Sequence, residues 1–421
     1  MVIGGKKNTK KLLILIISNR YHIRGLKMKK IIGVVLMLIM LGTLSAGCLG
    51  PEEEVAPTPT PTATSEVETT TTPEPEATAE PASKEPVKLI RMGGQDMVQR
   101  LGTGDISGCI GWEPYCAQAV VEGKGKILKN SSEIWPHHPC CVVAYDYNWY
   151  ESTGKEDADE ILNRVVWVHM KTTEWINEAK DPNSENHAKM IQHSENFTRR
   201  SPEVIEMALS NIEFDYNTDV SGTETYIQKI TDFQVFDEGK WKQSGYKNAS
   251  DYSNSLIDDQ YTTWAVEYSD KNASEIKLNE SVDIRFGYLI EDLHQLAFWI
   301  AWQEGLFEEV GINVTVAEGA PFQNGGFEMQ KGFKQNEVDI GYLGAAPASI
   351  HRINSNDFST DDTRISVVAG VNYVGSAIVV GNDINSMEDL AGKSVGFPGK
   401  GTVQHILFLS AADKAGLTVE E

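Results

Sequence analysis

Apolar residues recur with two different periods along most of the chain. Residues 282–288 and 312–316 alternate as strands do, and 338–343, 365–371, 377–380 and 394–397 are apolar runs of strand length. Between them, 294–310 (with Gly311 as its stop), 326–336, 387–391 and 402–415 have helical period, and Gly344-Ala345-Ala346-Pro347-Ala348 opens a further helix toward His351. The earlier half reads the same way. It predicts strands at 87–92, 106–112, 127–128 and 141–145, and helices at 96–101, 114–122, 156–179, 186–195 and 202–211. Residues 215–264 are mixed and polar; they predict a short hairpin and helices ending at 257–264. Residues 267–281 read as a polar connector. Strands alternating with amphipathic helices predict an α/β fold.

The pattern breaks at the N-terminus. Lys29-Lys30 precede the apolar run 31–44, which ends in Ser45-Ala46-Gly47-Cys48. A basic flank, a short apolar stretch and small residues predict a secretory leader over 1–48. A Cys directly after the small residues resembles the lipobox of prokaryotic lipoproteins, which makes Cys48 the expected lipidation site; the alternative is an uncleaved membrane anchor. Met28 is the expected start, with 1–27 an upstream extension. Residues 49–86 hold eight Pro, nine Glu and many Thr and Ala. Such a segment cannot bury enough apolar surface to offset its chain entropy, so it reads as an extended, disordered stalk. Sequons at Asn130, Asn196, Asn248, Asn272, Asn279 and Asn313 suit a cell-surface protein.

Charge sharpens this division. The 421 residues carry 60 Asp+Glu against 37 Lys+Arg, net −23, yet residues 1–48 hold nine Lys/Arg and no acid. The body, 87–421, is left with 51 acids against 27 Lys/Arg, or −24. That excludes a general polyanion binder, and no nucleic-acid partner is expected. An anion could be attracted only by local groups such as helix N-termini.

From Val282 onward the chain resembles the solute-binding lipoproteins of nitrate/sulfonate/taurine-type ABC importers. The resemblance rests on His294 and Ala297, Glu304-Gly305-Leu306-Phe307, Val338-Asp339-Ile340-Gly341, Gly344-Ala345-Ala346-Pro347 and Gly375-Ser376-Ala377. It continues through Met387-Glu388-Asp389-Leu390-Ala391-Gly392-Lys393 to Phe397-Pro398-Gly399 and Gly401-Thr402. In that family these motifs make the first lobe and the start of the second. Residues 87–266 resemble the remainder: Gly104-Asp105 and Trp112-Glu113-Pro114-Tyr115 match second-lobe segments, and Pro139-Cys140-Cys141-Val142-Val143 matches the strand returning to the first lobe. The resemblance therefore implies a two-lobed, type II periplasmic-binding-protein-like fold in circularly permuted order. Residues 87–140 would be second lobe, 141–266 the return to the first lobe, 267–281 the connector, 282–376 the first-lobe core, and 377–421 the crossover and second-lobe start. A domain-swapped tandem and a truncated product remain alternatives. The family's partners would follow: a small solute, an ABC permease with its ATPase, and the outer face of the cytoplasmic membrane through the lipid anchor.

Ligands of open α/β sheets sit beyond strand ends, at helix N-termini. The segments with that form are Gly344, Ala345 and Ala346; Asn372, Tyr373, Gly375 and Ser376 at the lobe crossover; and Gly401 with Thr402. The resemblance adds His294 as a cleft position. It also adds Trp112 as an apolar wall and Glu113 as an acid for a ligand's amine, against a plain helix-capping role. Hinges are expected near 375–377 and 141–145. His137-His138-Pro139-Cys140-Cys141 invites a metal reading, but neighbours on a strand face opposite sides, so no metal site is expected. Cys109, Cys116, Cys140 and Cys141 allow two disulfides in three connectivities, Cys109–Cys116 among them. No nucleophile elbow, phosphate loop or paired-acid constellation is present, so no enzyme and no cofactor is expected. The nearest alternatives are a thiamine-pyrimidine precursor binder or synthase-like relative, and a sensory or adhesive surface protein on the same fold.

Overall fold

The computed structural model describes residues 85–235, 245–323, 326–353 and 364–421. The leader, Cys48 and all of the stalk before Glu85 lie outside these residues. The described strands, in chain order, are β1 (Val87–Arg91), β2 (Gly108–Trp112), β3 (Lys126–Asn130), β4 (Pro139–Asp146), β5 (Ile212–Phe214), β6 (Val282–Gly287), β7 (Ile312–Val316), β8 (Ile340–Gly344), β9 (Ile365–Val374), β10 (Ser376–Val380), β11 (Ser394–Phe397) and β12 (Val419–Glu420). They form two six-stranded sheets. Sheet A has the order β12-β1-β11-β2-β10-β3, and sheet B the order β5-β9-β4-β8-β6-β7. The chain is thus mixed α/β with two sheets, and each sheet takes strands from both halves of the sequence.

Pairing direction follows the connections. In sheet A, β1 is parallel to β11 and β12, and β11 to β2, while β10 runs antiparallel to β2 and β3. In sheet B, β6 is parallel to β7 and β8, and β4 is antiparallel to β8 and β9. β4, β9 and β10 are buried along their whole length, as their unbroken Val/Ile/Ala runs require of central strands covered on both faces. The helix Lys155–Ala179 backs sheet B through Ile161, Leu162, Val165, Val168 and Ile176. Its contacts with the helices Gln260–Glu267 and Leu296–Gln303 close one face of that sheet.

Among the described residues the chain passes between the sheets at two places. One is Gly375 alone, between β9 and β10. The other is the segment between β3 and β4, which contains the short helix Ser131–Ile134. The second expected hinge, 141–145, is instead the middle of β4, clamped between β8 and β9. Its apolar run marks a core strand, and the crossover between the sheets lies just upstream of it.

Two further expectations fail locally. The helix expected over 294–310 is a 3-10 turn, Leu293–Gln295, then the helix Leu296–Gln303, and then a separate short helix, Leu306–Glu309. Gly305, at φ +73°, ends one and starts the next, a backbone state that glycine adopts without penalty. The hairpin expected within 215–264 is absent among the described residues, which form the helices Val220–Asp232, Ala249–Leu256 and Gln260–Glu267. Asp219 and Asn248 cap the first two by accepting from the N–H groups of Gly222 and Asp251. Polar composition there reflects solvent-facing helices.

Candidate functional site

The site begins with a fault in β4. Against β9, its register slips between Pro139 and Cys141 and again between Cys141 and Val142. A bulge inserts an extra residue and redirects side chains. Cys140 and Cys141 therefore do not diverge. Their sulfurs and a ring nitrogen of His294 all lie within 4.8 Å of one another, and all three residues are buried. The strict alternation assumed from sequence is overturned at this point. All four described cysteines are free thiols in this structure, Cys109 and Cys116 among them.

His294 stands in the 3-10 turn after β6, 1 % exposed. Its Nδ1 is 3.0 Å from Asp292 Oδ1 and 3.7 Å from Cys140 Sγ, while Nε2 is 3.0 Å from the Gly375 carbonyl. Both ring nitrogens thus face acceptors. Burial opposes the imidazolium, but Cys140 and Asp292 outweigh it and hold His294 well above the usual histidine range. The hydrogen bond from Cys141, against the opposing effect of burial and together with the charge of His294, holds the Cys140 thiol well below its ordinary value. Cys141, as donor in that bond, is pushed up. Two thiols, an imidazole and a carboxyl group thus meet in one buried cluster.

This cluster lines a cavity of about 70 Å³ between the two sheets. Sheet B and its loops contribute Cys140, Cys141, Asp292, His294, Gly344 and Ala346, and sheet A contributes Trp112, Pro398, Thr402, Val403 and Gln404. Thr402 caps the helix Val403–Lys414, its Oγ1 accepting from His405 N–H at 3.2 Å. A wider vestibule of about 300 Å³ shares Trp112, Gly326, Pro398 and Thr402 with the cavity and adds Arg91 and Phe327. The guanidinium carbon of Arg91 lies 6.0 Å from the Phe327 ring centre, across the mouth.

Of the residues singled out in the sequence, Trp112, His294, Gly344, Ala346 and Thr402 reach the cavity wall. Others stand behind it. Gly375 holds His294; Ser376 Oγ accepts from Gln404 Nε2 at 3.0 Å; the Gly401 carbonyl accepts from Tyr226 Oη at 2.5 Å. Ala345 starts the helix Ala345–His351. Asn372 is buried with its Oδ1 unpaired, and Tyr373 stacks on His137 at 3.8 Å. Glu113 is 0 % exposed and off the wall. Its Oε2 accepts from Ala117 N–H at 3.0 Å and its Oε1 from Asn211 Nδ2 at 2.9 Å. Both oxygens are engaged by protein, which is the capping alternative, although burial still pushes its pKa up. Sequence reasoning passed over Asp292. The Asp292-Leu293-His294 spacing, an acid two residues before a cleft histidine, was the available signal.

Polar bonds tie the two sheets together around the cavity. Arg200, beyond β4, donates to Gln118 Oε1 at 2.8 Å and Gln95 Oε1 at 2.9 Å on the sheet A side, and to Glu291 Oε2 at 2.9 Å on its own side. It also lies over the Tyr115 ring at 5.3 Å. Charge-assisted bonds of this kind are stronger than neutral ones. Arg200→Ala is expected to weaken closure and lower affinity for any enclosed solute about tenfold, roughly 1.4 kcal/mol. Small-angle scattering should show a more open particle. Unchanged affinity and scattering would show that the latch is idle.

Residues 64–193 match the model of the NMT1-like family, a family of ABC-transporter solute-binding and thiamine-precursor-type proteins. The match takes in β1 to β4, and so Trp112, Cys140 and Cys141. No curated protein matches the chain.

Proposed function

We propose that the chain is the solute-binding receptor of an ABC importer, held at the outer face of the cytoplasmic membrane by a lipid on Cys48. It captures a small anionic or zwitterionic solute of nitrate, sulfonate or taurine type by closing two lobes, without chemistry, and presents it to a permease and its ATPase. The observation that carries this is the cavity lined from two sheets that two crossovers join among the described residues, the geometry that hinge closure uses. The match over 64–193 supports the solute-binding class. The cavity limits the solute: about 70 Å³ suits a compact head group, with any longer part lying in the vestibule.

The sheet order also supports reading the fold as a circularly permuted type II binding protein. Followed from β6, the strands run through sheet B, then β10, β11, β12, β1, β2 and β3 in sheet A, and return to sheet B at β4. A compact monomer in solution is the form this reading expects; a concentration-independent dimer would favour swapping.

A second reading has one specific observation behind it. The matched family also takes in thiamine-precursor-type proteins, and the matched segment supplies Trp112, Cys140 and Cys141 to the cavity wall, so the ligand would be a thiamine-pyrimidine precursor. A thermal-shift screen separates the two. Binding to the folded state alone raises the midpoint with ligand concentration, by about 2.7 kcal/mol of stability at a hundredfold excess over Kd. Nitrate, bicarbonate, sulfonates or taurine shifting the midpoint supports the first reading; a pyrimidine alone shifting it supports the second. No shift with any of them overturns the receptor function.

A further inference from the structure

We propose that the inner end of the cavity is a binding site for a divalent cation of the zinc class, held by Cys140 Sγ, Cys141 Sγ and His294 Nδ1, with the fourth position open to the cavity. Two sulfurs and an imidazole nitrogen are the donor set that borderline-soft ions prefer, and three protein ligands with one open position is the pattern of zinc sites that also take a solute or water.

Four observations converge on it. The three donor atoms lie within 4.8 Å of one another in buried residues. Cys140 Sγ and His294 Nδ1 are 3.7 Å apart, close to the roughly 3.5 Å that a sulfur and a nitrogen keep on one tetrahedral zinc ion. The ring is oriented from outside: Nε2 donates to the Gly375 carbonyl at 3.0 Å, which leaves Nδ1 as the ligating nitrogen. Metal-bound histidines nearly always have such a partner on the other nitrogen. Finally, the register slips in β4 are what put consecutive thiols on one side.

Asp292 Oδ1, 3.0 Å from Nδ1 and on the same cavity wall, accepts the ring proton when no ion is bound. The ion takes the place of that proton and of whatever protons the two sulfurs carry, which leave to solvent. Cys109 and Cys116 are the internal contrast. They are as deeply buried, but pack among Met97, Leu101, Ala119 and Val379. The site does not depend on the importer reading, since it concerns only the ion and these three side chains.

The test uses the full chain, reduced and stripped with a chelator, and titrated with Co²⁺. One equivalent is expected to produce thiolate-to-cobalt charge-transfer absorption and the intense visible bands of tetrahedral cobalt, both removed by Zn²⁺. X-ray absorption of the zinc-loaded chain should show two sulfurs at about 2.3 Å and nitrogen or oxygen at about 2.0–2.1 Å. Cys140→Ser and Cys141→Ser should each lower zinc affinity more than about 100-fold, beyond the 10–100-fold effect typical of outer-shell changes, and Cys109→Ser should leave it unchanged. No charge-transfer band at one equivalent, or a shell of nitrogen and oxygen only, overturns the proposal. So does a band that survives in the double serine variant. If that variant does not fold, the X-ray absorption of the unaltered chain decides alone.

Discussion

Gly375→Ala is expected to destabilise the protein by about 3 kcal/mol and to abolish measurable solute binding. Gly375 is the single residue between β9 and β10, at φ +82°, where an L side chain is strained. A Cβ there would lie 2.3 Å from His294 Nε2 and 3.1 Å from Ile212 Cγ1. The first contact is impossible, so the imidazole must move. His294 cannot move freely, because Asp292 and Cys140 hold its other nitrogen. The Gly375 carbonyl also accepts from Glu113 N–H at 3.0 Å, so the same peptide fixes the start of the sheet A wall. One methyl group therefore disturbs the crossover, the ring and the approach to Trp112 together.

Chemical denaturation and the solute found in the screen check this expectation. A variant with native stability and native affinity would show that the crossover tolerates a side chain, and that the closeness of Gly375 to His294 has no consequence. A variant with native stability but lost binding would place the whole effect on the ring. Ser376, next in sequence, is the control. Its Oγ accepts from Gln404 without touching His294, so Ser376→Ala should cost only about 1 kcal/mol, the net worth of one hydrogen bond.

What the sequence revealed and what it hid have physical reasons. The α/β class, with short apolar strands between amphipathic helices, was readable because burial imposes period on every element. β11 covers the residues expected of it, and Thr402 stands at the N-terminus of the helix expected from there. The cleft position of His294 came from resemblance, and the structure puts it on the cavity wall. What stayed hidden depends on contacts distant in sequence. Glu113 has the composition of a ligand contact, but its partner Asn211 lies 98 residues away and absorbs it. The thiols of Cys140 and Cys141 converge because β9 slips against β4, and no local pattern encodes a slip in the partner strand. The break at Gly305 was visible as a glycine, but the apolar period ran straight through it. The crossover expected at 141–145 lies upstream of β4 because an all-buried strand and a crossover segment can both read as short apolar runs.

Asp146→Asn is expected to stabilise the protein at neutral pH by about 2 kcal/mol and to remove much of its pH dependence between pH 4 and 7. Asp146 ends β4 and caps the helix Tyr147–Thr153, its Oδ1 accepting from Asn148 N–H at 3.2 Å. It is 1 % exposed, and its Oδ2 has no partner. Burial first, against the lowering effect of the Asn148 bond, and then the nearby Asp339 carboxylate push its pKa up to about 7. Asp339 itself is committed to Arg285, at 3.1 Å from Nε, and the Arg285 guanidinium lowers the Asp146 pKa by less than burial raises it. In the unfolded chain the group titrates near 3.9. The folded form therefore binds this proton more tightly. Its contribution is intact below about pH 4, declines as pH rises through 7, and stays lost above that. Asparagine keeps the capping acceptor and carries no charge to desolvate, so the decline should vanish. Denaturation at pH 4.5 should find the variant and the parent nearly equal, and at pH 8 the variant should be the more stable. Equal stability at pH 8 with an unchanged slope would mean that Asp146 is ionised at no cost, and that the proton held in the folded state sits elsewhere.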